Sequence, residues 1–163
     1  MKNIILIGMP GAGKSTVGVV LAKSLGYKFI DTDLVIQEDQ GMILHNIIKK
    51  YGTNGFNVIE NNIISQISTD KSVIATGGSA VYGKEAMQNL KSIGRVLYLK
   101  LPYNEIKKRL GSLGKRGVLI KKGQTLEELY NERIPLYEKY ADITINCYGM
   151  SIREITEFIK KIL

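Results

Sequence analysis

Near the amino terminus, a short apolar run leads into a glycine-rich segment and then into a helical pattern. The run covers residues 4–7, and residues 8–15 (GMPGAGKS) match G-x-x-x-x-G-K-[ST]. Small residues in such a segment let backbone N–H groups converge on a phosphate at the positive end of the following helix. A lysine at the motif position reaches the outer phosphates, and the serine hydroxyl can bind Mg²⁺. The sequence therefore predicts a loop that binds the phosphates of a nucleotide.

Strand and helix patterns alternate along the rest of the chain. Short apolar strands are predicted at residues 4–7, 28–30, 72–76, 96–99 and 142–145. Helices are predicted at 14–25, 34–39, 43–51, 54–67, 84–91, 103–110, 125–140 and 151–163. This alternation predicts an α/β fold with a five-stranded parallel sheet and helices on both faces. The polar, glycine-rich segment at about 111–124 is expected to be a mobile lid.

Length and composition favour one soluble globular domain over the whole of residues 1–163. The chain has 44% hydrophobic and 23% charged residues, which is too apolar for a disordered chain. No apolar run approaches the roughly 18 residues that a membrane span needs, and the first strand begins too early for a signal peptide. The single cysteine excludes an internal disulfide and a cysteine-cluster zinc site. We therefore expect a cytoplasmic protein.

The chain is basic, with 23 Lys and Arg against 15 Asp and Glu and a formal net charge of +8. The lysines form scattered doublets that are not interleaved with aromatic residues, so most are expected on solvated helix faces, and nucleic-acid binding is disfavoured. Arginines are few. In a chain that favours lysine, we expect arginine where a planar, bidentate guanidinium is needed. The candidates for binding an anion are therefore the arginines at positions 95, 109, 116, 133 and 153.

Two further segments follow predicted strands, where open parallel sheets place their ligands. Asp31, Thr32 and Asp33 come after the second strand, and Gly77 and Gly78 after the third. Paired carboxylates can hold the Mg²⁺ shell and orient or deprotonate a hydroxyl, although an aspartate before a helix is also a common N-cap. The two glycines fit either a plain turn or a close approach of backbone to a ligand.

In this order, the motifs resemble those of the shikimate kinase family, and the likeness runs from Gly8 to about Ile145. It rests on residues 8–16, residues 31–33, GF-x-x-x-E at 55–60, TGG at 76–78, Arg116, and ER-x-PLY at 132–137. The resemblance implies the P-loop NTPase fold, similar to that of nucleoside monophosphate kinases. It also implies transfer of the γ-phosphoryl group of ATP to a hydroxyl of shikimate, with ATP and Mg²⁺ as cofactors. The expected partners are ATP and a small hydroxy acid, without nucleic acid or membrane, and the expected state is a monomer.

The resemblance also implies a role for each matching residue. The catalytic residues would be Lys14, Asp33 as the base, and Arg116, which would close with the lid onto phosphate. Nucleotide binding would involve Gly11, Ala12, Gly13, Lys14, Ser15, Thr16, Arg109 and Arg116. The acceptor would contact Asp33, Asn57, Gly77, Gly78 and Arg133, the last through its carboxylate. Ser15 and Asp31 would hold the metal, Asp31 through a water molecule.

Three positions depart from the family pattern. Asn57 stands where the family has a second arginine for the substrate carboxylate, Ser79 replaces a third glycine, and Gly117 replaces a proline after the lid arginine. Removing a charge-assisted hydrogen bond costs about 1.5–3 kcal/mol. The sequence therefore leaves three interpretations: a weaker shikimate kinase, a relative that phosphorylates another small hydroxylated acceptor, or a nucleotide-binding module with little activity.

Four other features are open or expected to be structural. Glu60 fits either the acceptor site or a surface helix, and His45 is expected to be a packed or surface residue. Cys147 is expected to be a buried or half-buried thiol without function. The tyrosines at helical spacing are expected to pack in the core; they are Tyr130, Tyr137 and Tyr140.

Overall fold

The computed structural model describes residues 2–113 and 121–163, except for the side chains of residues 112 and 113. Its strands are β1 (Asn3–Ile7), β2 (Lys28–Asp31), β3 (Ser72–Ala75), β4 (Gly94–Lys100) and β5 (Ile143–Asn146). Its helices are α1 (Lys14–Leu25), α2 (Thr32–Gln40), α3 (Leu44–Ser65), α4 (Lys84–Ile93), α5 (Tyr103–Leu113), α6 (Leu126–Tyr140) and α7 (Ile152–Ile162). A 3₁₀ turn covers Ala80–Tyr82.

The five strands form one parallel sheet in the order β2-β3-β1-β4-β5. The central strand β1 is buried along its whole length, and its Ile5 pairs with Ile74 of β3 and Val96 of β4. A parallel strand covered on both faces needs apolar side chains in succession rather than in alternation, which explains the run at residues 4–7. The predicted five-stranded parallel α/β fold is confirmed.

This strand order places three loops side by side. The segments after β1, β2 and β3 all leave the carboxyl edge of the sheet, and these three strands are adjacent. Ligands of open parallel sheets bind at that edge. The fold therefore brings together the three segments that the sequence singles out: residues 8–15, 31–33 and 76–78.

The prediction of two helices between residues 43 and 67 agrees with the structure except at the junction. Helix α3 runs over Leu44–Ser65 with a break at Gly52, where φ is 71° and ψ is 179°. The positive φ at this residue favours glycine, so the helix can bend here at little conformational cost.

The predicted lid at 111–124 is wrong at its amino-terminal end, because α5 continues through Gly111 to Leu113. A glycine inside a helix costs only about 1 kcal/mol relative to alanine, which does not suffice to end a helix. Residues 114–120 lie outside the described residues. The carboxyl-terminal end of the segment contains a turn at residues 122–123 before α6 begins. The mobility of the lid stays a prediction.

Within residues 2–113 and 121–163, none of the helices combines the length and the apolar character needed to cross a membrane.

Candidate active site

A cavity of about 310 Å³ opens at the carboxyl edge of the sheet, between the three adjacent loops. It brings together most of the residues that the sequence predicts for the site. Its lining comprises Pro10, Gly11, Gly13, Lys14, Ser15, Thr16, Asp33, Leu44, Phe56, Thr76, Gly77, Gly78, Ser79 and Arg133.

The loop between β1 and α1 leaves the start of α1 open towards this cavity. Gly13 precedes the helix in the left-handed conformation, with φ of 92°, which a residue with a side chain rarely adopts. Gly13 occupies the N-cap position of α1 and has no side chain that could accept a hydrogen bond from the first turn. The backbone N–H groups of this turn are therefore available to an anion, and the helix dipole adds to the attraction.

Lys14 is held inside the same loop. Its Nζ donates hydrogen bonds of 2.8 Å to the carbonyl oxygens of Gly8 and Met9. Burial lowers the pKa of Lys14 to about 8, and the neighbouring Asp33 carboxylate opposes this shift. The ammonium group is thus positioned on the wall of the cavity, close to the end of α1.

Asp31 caps a helix and also contacts the phosphate-binding loop. Its Oδ1 accepts a 3.0 Å hydrogen bond from the backbone N–H of Asp33 and so caps α2. Its Oδ2 accepts a 2.9 Å hydrogen bond from the hydroxyl of Ser15. Hydroxyl and carboxylate oxygens are hard ligands, and Mg²⁺ commonly takes one or two of them together with phosphate oxygens and water. The donor set therefore fits Mg²⁺.

Asp33 lies on the cavity wall beside Lys14. The pKa of Asp33 is raised to about 6, because burial and the Asp31 carboxylate raise it more than Lys14 lowers it. A carboxylate with a pKa nearer to neutrality is a better proton acceptor than an exposed aspartate. Asp33 can therefore accept a proton from a hydroxyl group bound in the cavity.

The two glycines after β3 allow charged side chains to approach the backbone. A Cβ atom at Gly77 would lie 2.7 Å from Oδ1 of Asp33, and one at Gly78 would lie 2.8 Å from Nη1 of Arg133. Both distances are shorter than real Cβ contacts allow. Packing against protein side chains therefore requires glycine at both positions, and the approach of this backbone to a ligand stays a prediction.

Arg133, on α6, is 1% exposed and lines the cavity, with its Nη1 against the backbone of Gly78. Its Nε donates to the hydroxyl of Tyr82 at 3.4 Å, and its guanidinium carbon lies 5.4 Å from the centre of the Tyr82 ring. One turn further along α6, the Tyr137 hydroxyl donates a 2.7 Å hydrogen bond to the carbonyl of Gly78. Helical spacing from Arg133 is a signal for Tyr137, but no sequence signal marks Tyr82.

Glu60 is buried, which excludes the surface-helix alternative, although Glu60 is not among the residues that line the cavity. It is 2% exposed, and its Oε1 accepts a 2.6 Å hydrogen bond from the hydroxyl of Ser79. Burial raises the pKa of Glu60 to about 7, the hydrogen bond from Ser79 opposes the rise, Asp33 adds to it and Arg133 opposes it. Its Oε2 has no hydrogen-bond partner among the described residues.

Asn57 does not line the cavity, although the preceding Phe56 does. The Oδ1 atom of Asn57 is buried and has no hydrogen-bond partner among the described residues. The side chain at the family's arginine position is therefore not one of the groups that the structure brings together around the cavity.

The remaining predicted nucleotide-binding residues lie beside the cavity or outside the described part of the chain. Arg109 donates from Nη1 to the carbonyl of Gly11 at 3.1 Å and from Nε to Glu105 at 3.2 Å, so it contacts the phosphate-binding loop from α5. Ala12 is buried at 1% exposure within that loop. Arg116 and Gly117 lie outside the described residues.

The residues expected to be structural behave as predicted. Cys147 is a buried free thiol and His45 is a surface residue. Tyr137 is fully buried, and Tyr130 and Tyr140 are half-buried against the core.

Comparison with known proteins gives one consistent family. The family model described as shikimate kinase matches residues 10–163. The shikimate kinase of Thermodesulfovibrio yellowstonii is 41% identical over 164 residues, which cover 99% of this chain and 94% of the relative. The shikimate kinase of Francisella tularensis subsp. novicida is 39% identical over 166 residues, with the same coverage.

Solved structures agree with this result. The shikimate kinase from Acinetobacter baumannii, in complex with shikimate, has a TM-score of 0.90 and 33% identity, covering 99% of this chain and 92% of the other. Shikimate kinase from Aquifex aeolicus has a TM-score of 0.82 and 29% identity, covering 98% and 94%. With the motif order, the fold and the cavity residues all in agreement, the chain belongs to the shikimate kinase family.

Proposed function

We propose that this protein transfers the γ-phosphoryl group of ATP to a hydroxyl of shikimate, releasing ADP and shikimate 3-phosphate. The observation that carries the proposal is the cavity in which Lys14, Asp33 and Arg133 meet. These groups match the three parts of the reaction, which are a polyanionic donor, a hydroxyl to be activated and a carboxylate on the acceptor. The family membership and the relative solved with shikimate bound support the same acceptor.

The nucleotide binds through the loop before α1. The N–H groups at the start of α1 hold phosphate oxygens, and Lys14 exchanges its carbonyl partners, Gly8 and Met9, for the β- and γ-phosphates. Because Lys14 is already held at the loop, little reorganisation is needed when charge develops on the transferred group. Ala12, Thr16 and Arg109 complete the nucleotide site, and Arg116 contributes from the lid.

The acceptor binds in the part of the cavity that is lined by Gly77 and Gly78. Arg133 binds the shikimate carboxylate, and the reacting hydroxyl lies at Asp33, with Gly77 and Gly78 forming the wall between the two. The hydroxyl oxygen attacks the γ-phosphorus while the proton passes to the carboxylate of Asp33. The bond from the γ-phosphorus to the bridging oxygen breaks, and ADP leaves with the electron pair.

Ser15 and Asp31 are the residues that would hold Mg²⁺, which when bound neutralises charge on the transferred phosphoryl group. The Ser15 hydroxyl donates a 2.9 Å hydrogen bond to the Asp31 carboxylate. This hydrogen bond keeps both oxygens at the end of the phosphate-binding loop.

The test is ADP release measured with shikimate and, in parallel, with a panel of other small hydroxylated acids and sugars. We expect turnover with shikimate at a kcat/KM at least tenfold above that with any other acceptor. Turnover with another acceptor and none with shikimate would refute the proposal. ADP binding without turnover of any acceptor would favour a nucleotide-binding module instead.

A second candidate function, phosphorylation of a different hydroxylated acceptor, is favoured by the environment of two residues. Asn57 has a buried oxygen without a partner among the described residues, and the Ser79 hydroxyl is bonded to Glu60. Asn57 does not supply the positive charge expected from the family pattern, and Ser79 adds a hydroxyl where that pattern has a glycine. The same acceptor panel with Asn57→Arg separates the candidates. A large gain on shikimate alone would indicate a site that has diverged from it, and no gain would indicate that Arg133 suffices.

We also propose that the protein acts in the cytoplasm as a monomer. ATP as the phosphoryl donor favours that compartment, and the proposed site draws all of its residues from one chain. Light scattering after size-exclusion chromatography tests the oligomeric state, and a dimeric mass would contradict it.

A further inference from the structure

Tyr82 is a residue that no motif marks, yet it touches the arginine on which acceptor binding depends. It ends the 3₁₀ turn that follows Gly77 and Gly78, whereas Arg133 lies on α6. Its hydroxyl is 3.4 Å from Nε of Arg133, and the guanidinium carbon lies 5.4 Å from the centre of its ring. One tyrosine therefore contacts the same guanidinium by a hydrogen bond and by a cation–π interaction.

The direction of the hydrogen bonds at Tyr82 is fixed by chemistry. Oε2 of Glu132 lies 2.5 Å from the hydroxyl oxygen, and a carboxylate can only accept, so the phenol proton points to Glu132. The guanidinium can only donate, so the phenol oxygen accepts from Arg133. Tyr82 thus bridges two neighbouring residues of α6, and each hydrogen bond polarises the other.

This bridge is one of two tyrosine contacts to the guanidinium, because the side chain of Tyr137 also hydrogen-bonds Arg133. Nε is directed to Tyr82, while Nη1 lies against Gly78, 2.8 Å from the position that a Cβ would occupy there. Both Gly78 and Arg133 line the cavity. A guanidinium held at the cavity wall by these contacts can bind a carboxylate in a bidentate manner.

Tyr82 also stays in the form that this role requires. Burial raises the pKa of Tyr82, the hydrogen bond to Glu132 adds to the rise, and Arg133 opposes it. The phenol therefore keeps its proton at neutral pH. Arg133 is buried at 1% exposure, where a planar cation in the wrong orientation would lose its directional contacts.

We propose that Tyr82 is a positioning residue for acceptor binding: held by Glu132, it orients the guanidinium of Arg133 towards the acceptor carboxylate. The proposal rests on the proposed function, because it assumes that the acceptor carries a carboxylate. Asn57 replaces the family's second arginine, so binding of the acceptor carboxylate depends more strongly on the orientation of Arg133.

The test measures shikimate and ATP affinities by calorimetry for the wild type, Tyr82→Phe and Tyr130→Phe. Tyr130→Phe is the control, because it also removes a tyrosine hydroxyl that makes a hydrogen bond, here a 2.7 Å bond to the carbonyl of Leu101. We expect Tyr82→Phe to weaken shikimate binding about three- to tenfold, with ATP binding within about twofold of the wild type. Tyr130→Phe should leave both affinities within about twofold.

A double-mutant cycle with Arg133→Lys locates the effect. In that background, Tyr82→Phe should change shikimate affinity by less than about twofold, because the group it orients is gone. Equal weakening in both backgrounds, equal weakening of ATP and shikimate, or no weakening at all would overturn the proposal. If Arg133→Lys binds too weakly to measure, the split between the two ligands decides.

The same proteins separate the two proposals. A wild type that binds shikimate without ADP release refutes the proposed function, while the role of Tyr82 is still decided by the affinities. A wild type that turns over shikimate, with unchanged affinity in Tyr82→Phe, refutes the role of Tyr82 and leaves the function standing. No binding of shikimate by the wild type refutes both.

Discussion

Lys14 illustrates how a single residue can oppose folding and still be required. In the folded protein its ammonium is 7% exposed, and burial lowers the pKa of Lys14 to about 8 from an ordinary value of 10.5. The lowered pKa means that the unfolded chain binds the proton more tightly. The destabilisation is complete below pH 8 and disappears as the pH rises to 10.5.

Lys14→Met should therefore separate stability from activity. We expect kcat/KM to fall at least about 100-fold, because the charge on the outer phosphates is lost. The stability of the variant relative to the wild type, measured by urea unfolding, should be greatest near pH 7.5 and decline towards pH 10.5. Lys23→Met, at an exposed lysine of α1, is the control and should change neither quantity. A pH-independent difference for Lys14→Met would contradict the account.

Glu60 has the opposite pH dependence. Its pKa is raised from 4.5 to about 7, so the folded state holds the proton more tightly, and stability is lost as the pH rises from 4.5 to 7. Glu60→Gln keeps an oxygen that can accept from Ser79 and removes the ionisation. It should gain roughly 1–3 kcal/mol relative to the wild type between pH 5 and pH 8.

The matched control for that measurement is Glu128→Gln, at an exposed glutamate in the first turn of α6. Urea unfolding of the three proteins at pH 5 and pH 8 provides the comparison. If Glu60→Gln shows the same relative stability at both values of pH, the buried carboxyl group is not the source of the shift.

The predicted residues that line the cavity are mostly those that a local motif marks. Lys14 and Ser15 belong to one motif, and the hydrogen-bond partners of Lys14, Gly8 and Met9, lie within six residues of it. Tyr82 and Ser79 differ in this respect, since their partners lie 51 and 19 residues away. Contacts of that kind depend on how α3 and α6 pack against residues 77–82. No local sequence pattern encodes this packing.

At the scale of elements, α5 shows how a glycine can mislead. Gly111 lies inside the helix, nothing lies within 4 Å of a Cβ placed there, and the residue has no positive φ. The polar composition after it suggests a loop, whereas the helix runs on because one glycine weakens it only slightly. Most other element positions follow from the alternation of apolar strands and amphipathic helices, because periodicity is a local property.

Gly111→Ala tests this correction directly. It should raise the free energy of unfolding by about 0.5–1 kcal/mol, because alanine has the better helix propensity. Gly26→Ala is the matched variant: space is equally open there, but Gly26 ends α1 with φ of 69°. It should lose about 1–2 kcal/mol, since alanine is strained in that conformation. Destabilisation by Gly111→Ala would indicate that α5 ends before this residue.

At the scale of the whole molecule, the strand order β2-β3-β1 determines which sequence motifs lie next to each other. It makes three separated segments adjacent at one edge of the sheet. The sequence predicts a parallel sheet but not the order of its strands, because that order depends on long-range packing. Once the order is fixed, the phosphate-binding loop, the aspartate pair and the glycine pair share one cavity.

The net charge of +8 also has a simpler meaning at this scale. The cavity itself contains Lys14 and Arg133 together with Asp33, so its charge is mixed rather than uniformly basic. Most lysines lie elsewhere, on exposed positions, and can attract anionic ligands from a distance without contacting them. A small anionic substrate and a nucleotide fit this distribution better than a polyanion does.

The most direct measurement is identification of the product formed from shikimate and Mg²⁺·ATP, by ³¹P NMR and mass spectrometry. We predict a phosphate monoester of shikimate, formed in equal amount to ADP by the wild type and reduced at least about 100-fold in Asp33→Asn. Release of ADP with inorganic phosphate alone, or equal ester formation by Asp33→Asn, would contradict the account.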